Sequence, residues 1–239
     1  MNALAVKGLC KRYPAFSLEN VSFSVPEGAV MGFIGRNGAG KSTTLKALLG
    51  LVHPDAGEVT VLGKSFREEE QSIKERIGVV LGGIDFYPKK KVRLLSDVPR
   101  RFYGNWQEEK YRHYLNLFGI DQEKRVDQLS TGMRVKYMIA LALSHDARLL
   151  ILDEPTSGLD PVSRDELTEL LRRIAADGQR SVLFSTHITF IKDGTIQHTG
   201  TLADFRQHYD YLRQPGQELT LEDIIVSVER RPLDENAII

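Results

Sequence analysis

The chain has 239 residues, with 32 basic and 32 acidic side chains and a formal net charge of zero. That length suffices for one large domain, or a domain with a lobe, around a sizeable core. The balanced charge gives no support for bulk attraction to nucleic acid or broad binding to a membrane surface, and the single cysteine, Cys10, excludes an internal disulfide and suits a reducing compartment.

In chain order, Leu4–Leu9 and Phe23–Val25 predict short strands, interrupted by Pro14 and closed by Pro26-Glu27-Gly28. Ala29–Ile34 predicts an apolar strand that enters a glycine-rich loop, and from Ser42 onward the apolar spacing is helical. His53–Gly57 predicts a turn, Glu58–Leu62 another short strand, and Ile77–Leu81 a buried one. Lys89-Lys90-Lys91 with Arg93, and Arg100-Arg101, are local basic clusters of the kind that solvated faces carry. From Val92 to Gln128 the pattern is helical, with Tyr111, Tyr114, Leu115, Leu117 and Phe118 grouped on one side. Together with a helix after Leu129, this predicts a mostly α lobe over about 92–145, inserted between core strands. Leu149–Leu152 and Val182–Phe184 are core strands separated by the amphipathic helix Arg164–Ala176, the βαβ unit of a parallel sheet. Phe190–Ile196, with Asp193-Gly194 at its centre, predicts a hairpin. The tail, about 202–239, is polar from Pro215 and weakly helical at Leu221–Val228. No stretch approaches the roughly 18–20 apolar residues that span a bilayer. The first residues also place apolar side chains ahead of the charges, the reverse of a secretory signal. The chain therefore reads as soluble and cytoplasmic.

Two segments carry chemistry. Gly35-Arg36-Asn37-Gly38-Ala39-Gly40-Lys41-Ser42 matches G-x-x-x-x-G-K-[ST] at every position. Its glycines let backbone N–H groups converge on phosphate oxygens, and the following helix adds its N-terminal dipole. Lys41 can reach the β- and γ-phosphates, and the Ser42 hydroxyl can ligate Mg²⁺. Leu149-Leu150-Ile151-Leu152-Asp153-Glu154 is an apolar strand tipped by two carboxylates, at the sheet edge where α/β proteins bind ligands. Asp153 is suited to Mg²⁺, and Glu154 to polarising an attacking water.

With these two segments the chain resembles the ATP-binding-cassette (ABC) ATPases along nearly its whole length. Leu129-Ser130-Thr131-Gly132-Met133 is similar to the family's signature turn, with Thr and Met where Gly and Gln are commoner. Ser157-Gly158-Leu159-Asp160 matches the loop that crosses between subunits, His187 after Ser185-Thr186 the switch histidine, and Tyr13 the aromatic residue that stacks on adenine. The resemblance implies an α/β fold: a P-loop NTPase (RecA-like) core with an antiparallel β subdomain and an inserted α-helical subdomain, all one ABC domain over 1–239. It implies ATP and Mg²⁺ as ligands, with Tyr13, Asn37, Gly38, Ala39, Gly40, Lys41, Ser42 and Thr43 around the nucleotide and Ser42 and Asp153 on the metal. Glu154 and His187 are the implied catalytic residues. Ser130 and Gly132 would address the γ-phosphate of a partner subunit's ATP, with Asp160 at the join. The implied partners are a transmembrane permease subunit and a second ABC ATPase domain, in a homodimer or heterodimer, with no nucleic acid. The place implied is the cytoplasm, peripheral on the inner face of the cell membrane. The details resemble exporter-type, drug- or antibiotic-linked members.

Two features depart from that pattern. The family commonly places a glutamine after the strand Ile77–Leu81, where this chain has Gly82-Gly83. Asp85 as a substitute ligand and a plain glycine-rich hinge are both open, and Asp85–Val98 is the expected surface toward a membrane subunit. Second, only Ile188 and Thr189 separate His187 from Phe190-Ile191, whereas a parallel crossover needs about a dozen residues. The expectation is that a segment is absent there; a native shortening is the alternative. The leading reading is the ATP-hydrolysing subunit of an ABC transporter. Its rivals are a soluble ABC ATPase acting on ribosomes or DNA, and a weakly hydrolysing nucleotide-dependent regulatory module.

Overall fold

The computed structural model describes residues 1–34, 38–81, 87–192, 195–201 and 207–212, with the backbone alone at 34, 81, 185–192, 195–201 and 212. Strands β1 (Asn2–Tyr13) and β2 (Phe16–Pro26) pair antiparallel around a turn that holds Pro14. β4 (Ala56–Val61) and β5 (Lys64–Ser65) extend this sheet in the order β2-β1-β4-β5. Both opening strands are longer than the sequence pattern predicts, because ladder pairing carries the polar residues at their ends along with the apolar ones. In β2, Val21, Phe23 and Val25 are buried with exposed or half-buried residues between them, the period-2 mark of a sheet with one face on the core.

The second sheet has a parallel four-stranded path in the order β3-β8-β7-β6, with a fifth strand added antiparallel to β8. The strands of the path are β3 (Val30–Ile34), β6 (Ile77–Leu81), β7 (Leu149–Asp153) and β8 (Ser181–Lys192). Alternate residues of β7 enter different cores. Leu149 and Ile151 pack with Leu45 and Leu48 of α1 (Lys41–Leu48), whereas Leu150 and Leu152 pack with Leu167 and Leu171 of α6 (Pro161–Ala175). This two-sided burial is why the strand reads as an unbroken apolar run. Helix α1 stops at Leu48, short of the predicted extent. Gly50 takes φ 69°, Leu51 N–H donates to Lys46 O at 2.9 Å and Gly50 N–H to Ala47 O at 3.2 Å, a Schellman ending. Helix α2 (Phe66–Lys74), which the sequence pattern did not suggest, connects β5 to β6 and buries only Phe66 and Ile73.

Helices α3 (Val92–Phe102), α4 (Glu108–Leu117) and α5 (Thr131–Ser144) form a group with a core of their own. Val92, Tyr111, Leu115, Ile120, Leu129, Tyr137 and Ala140 build it. Inside, the Ser96 hydroxyl bonds the phenol of Tyr111 and that of Tyr137, the latter at 2.9 Å. Burial pushes both phenols up from their ordinary pKa, so both stay neutral. Leu117 departs from the predicted apolar side and is 61% exposed. Tyr111, Leu115 and Phe118 repeat at helical spacing, and Leu117 falls on the opposite flank.

The chain after β7 departs most from the predicted layout. The predicted strand Val182–Phe184 and the first arm of the predicted hairpin are one continuous strand, β8, and β9 (Thr195–Thr201) returns antiparallel on it. The turn Asp193-Gly194 lies outside the described residues, as do 202–206 and the tail from 213. Along β3, Val30 pairs with Val182 while Met31 pairs with His187, so β8 advances five residues where β3 advances one.

Gly78 of β6 lies under α5. A Cβ there would stand 2.5 Å from both Ala142 Cβ and Leu150 Cδ2. Overpacking of this kind costs about 1–3 kcal/mol, which at this chain length lowers Tm by roughly 2–4 °C per kcal/mol. Gly78→Ala is therefore expected to unfold several degrees earlier in a thermal melt, and an unchanged Tm would show that α5 shifts away without cost.

Candidate functional site

The glycine-rich loop leaves β3 and ends on α1. Gly35, Arg36 and Asn37 lie outside the described residues. Gly40 caps α1 at φ 106°, ψ 2°, a left-handed conformation that glycine adopts without a steric penalty. A Cβ at Gly40 would also meet Leu18 Cδ2 at 2.5 Å and Phe16 Cζ at 2.8 Å, so β2 presses directly on the loop. Ala39 is buried, and the Thr44 hydroxyl donates to Gly40 O at 3.0 Å, fixing the first turn of α1. That turn carries Lys41, Ser42 and Thr43, with its leading N–H groups directed toward the loop.

The acid-tipped strand ends beside it. β7 closes at Asp153, and Glu154 takes φ 47°, a left-handed conformation that costs a non-glycine residue about 1–3 kcal/mol. The turn is held by Ser157 N–H, which donates to Glu154 O at 3.0 Å. Ser42 Oγ stands 3.5 Å from Asp153 Oδ1. A hydroxyl and a carboxylate at this separation are hard oxygen donors, the set that Mg²⁺ takes when phosphate and water complete its shell. Lys41, Asp153, Glu154, Ser157, Gly158 and Arg164 line one cleft of about 480 Å³. The cleft thus joins the lysine of the loop to both carboxylates of the strand. Arg164, from the first turn of α6, is a residue that motif reading missed.

Among the described side chains, Ser130, Asp160 and Tyr13 lie off the walls of this cleft, as does Gly132. Ser130 caps α5, its Oγ accepting from Met133 N–H at 3.2 Å. A Cβ at Gly132 would come 3.7 Å from Leu159 Cδ2 and 3.9 Å from Ser163 Oγ, so the signature-like turn rests against the start of α6. Asp160 caps α6, accepting from Ser163 N–H at 3.0 Å and Ser163 Oγ at 2.6 Å, with Pro161 behind it at the first helical position. These bonds from Ser163 hold the Asp160 carboxyl below its ordinary range. Tyr13, at the end of β1, is 41% exposed, with Lys11 Nζ 5.9 Å from its ring centroid. The backbone of His187 lies opposite Met31, three residues before the end of β3. Gly82, Gly83 and Asp85 fall outside the described residues.

The Asp160 cap carries a pH signature. Its folded carboxyl is depressed, so its contribution is complete above the unfolded value near about pH 3.9 and fades as pH falls through the lower folded value. Asp160→Ala should lower Tm at pH 7 more than Asp160→Asn, because asparagine still caps. The gap between wild type and Asp160→Asn should close below about pH 4, as read by thermal melts across pH 3–7.

Comparison with known proteins agrees with this geometry. The ABC transporter family model matches residues 18–157, which include the loop and the acid-tipped strand. The bacitracin transport ATP-binding protein BcrA of Bacillus licheniformis is 34% identical over 190 residues, covering 79% of this chain and 62% of the relative. A Nod factor export ATP-binding protein I of Burkholderia orbicola is 37% identical over 183 residues, 74% of this chain and 60% of the relative. The chain thus spans about three fifths of the length of these curated relatives. A solved ATP-binding subunit of an ABC transporter superposes with TM-score 0.79 at 26% identity, over 95% of this chain and 100% of that one. The matched phosphate loop and acidic strand are the two segments that the fold brings together at one cleft, and the chain belongs to the ABC transporter family.

Proposed function

We propose that this chain is the ATP-binding and ATP-hydrolysing subunit of an ABC transporter, acting in export. The observation that carries this reading is the single cleft shared by Lys41, Asp153 and Glu154, with Ser42 Oγ 3.5 Å from Asp153 Oδ1. Lys41 and the N–H groups at the start of α1 bind the phosphates, and Tyr13 covers the adenine. Ser42 and Asp153 would hold Mg²⁺, which neutralises phosphate charge when bound. Glu154, aimed by its left-handed turn, takes a proton from the attacking water or orients it. His187 is the second catalytic candidate. Export is supported by the names of the relatives, and the substrate class is left to the membrane partner.

The proposed working unit is a pair of ABC domains around two ATP molecules. Gly132 faces the start of α6, and both it and Ser130 lie off the walls of their own chain's cleft, which supports their use on a neighbour's nucleotide. The domain is one unit over 1–239 with the helical insert at about 92–145 and the tail at about 202–239. A permease subunit would dock at the apolar groove of about 340 Å³ lined by Val79, Leu95, Val98, Tyr103, Met138 and Leu141. Val98 is 67% exposed and Phe102 75%, an apolar surface suited to burial by a partner. No helix among the described residues is long and apolar enough to cross a membrane. The chain would therefore sit peripherally on the inner face, held by that partner.

The second reading is a weakly hydrolysing, nucleotide-dependent module, and the register of β8 favours it. His187 pairs with Met31 inside the sheet, whereas the leading reading needs it at the edge. Turnover separates the two. On the leading reading, Glu154→Gln lowers ATP turnover about a hundredfold or more with ATP still bound, and His187→Ala also slows it. Slow turnover that neither change alters supports the second reading. Val98→Glu is expected to abolish co-purification with the membrane subunit while ATP affinity stays at the wild-type value.

A further inference from the structure

Arg164 lies on the first turn of α6 and lines the same cleft as Lys41, Asp153 and Glu154. That position is electrostatically unfavourable for a cation, because the start of a helix carries partial positive charge. No side chain one turn away along α6 offsets it. The residues three and four positions away are Asp160, Pro161, Leu167 and Thr168, and the one carboxylate among them is held by Ser163 through both oxygens. Farther along α6, Arg172 and Arg173 pair with Glu169 at 3.9 and 2.9 Å. Among the described residues, no carboxylate lies at ion-pair distance from Arg164.

We infer that Arg164 is a phosphate-binding residue, its guanidinium pairing with the terminal phosphate of a nucleoside triphosphate in this cleft. The inference rests on the proposal that the cleft binds ATP. Lys41 comes from the start of α1, whereas Arg164 comes from α6, which follows Glu154, Ser157 and Gly158 in the chain. Glu154 must face the phosphate that is cleaved, and the cation supplied by the helix following its turn is assigned to that terminal phosphate and not to the inner ones. A guanidinium offers a planar fork of donors that fits two phosphate oxygens, and a nucleotide polyanion would turn an unfavourable site for a cation into a favourable one.

The test is calorimetric binding of a non-hydrolysable ATP analogue and of ADP, both with magnesium, to wild type, Arg164→Ala and Arg164→Lys. Losing a charge-assisted contact should weaken the triphosphate about tenfold while ADP changes by less than about twofold, with lysine restoring part of the difference. Unchanged triphosphate affinity, or equal weakening of both nucleotides, would overturn the assignment. Should Arg164→Ala not fold, Arg164→Gln provides the same readout. Lys41→Ala is the control. If it loses both nucleotides while Arg164→Ala binds like wild type, this inference alone fails. If Lys41→Ala also binds like wild type, the nucleotide reading of the cleft fails with it.

Discussion

The parallel pairing of β8 with both β3 and β7 is the constraint on which the cleft depends. Parallel strands end at the same sheet edge, so the loop after β3 and the carboxylates after β7 emerge side by side although more than a hundred residues separate them. Ser42 and Asp153 come within 3.5 Å for that reason. Neither segment could bind a phosphate-bound cation alone, because one brings donors without a carboxylate and the other carboxylates without the N–H groups of a helix start.

Two close approaches keep that edge in place. Gly40 lets β2 of the antiparallel sheet rest on the end of the phosphate loop, so the loop is braced from a second layer. Gly78 lets α5 lie close over β6, which ties the helical group to the parallel sheet. His145, at the end of α5, adds to this junction. Its ring stacks on Tyr103 at 3.8 Å, and Asn105 Nδ2 donates to its carbonyl at 2.5 Å. Burial lowers the pKa of the imidazole, which keeps it neutral in this apolar setting. Together these contacts anchor the C-terminal end of α5 on the sheet, with the turn at Ser130 at its other end.

The residues that lie away from the cleft follow a second logic. Ser130 and Asp160 each cap a helix, and a helix start with satisfied donors is a fixed point in space. Gly132, two residues after the Ser130 cap, faces Leu159, the residue before the Asp160 cap. One surface therefore joins the signature-like turn to the loop that leaves the acidic strand. The first turn of α6 also presents Arg164 to the cleft.

Much of this was legible in the sequence. Residues Gly38 to Ser42 could be read as a phosphate loop because glycine spacing reports backbone conformation directly. The strand Leu149–Asp153 could be read as buried on both faces because four consecutive apolar residues have no solvent face to spare. The Asp160 cap is not read from the sequence, because the resemblance points to a place at the join and the predicted helix begins only at Arg164, whereas the fold starts α6 at Pro161. The sequence by itself determined the family, the loop and the acid-tipped strand, since each is a local pattern written in adjacent residues. Only the tertiary structure decided that Arg164 shares a cleft with Lys41, that Leu117 faces outward, and that His187 continues a strand and is not followed by a helix. These depend on which element packs against which, and packing partners distant in sequence leave no mark on local spacing.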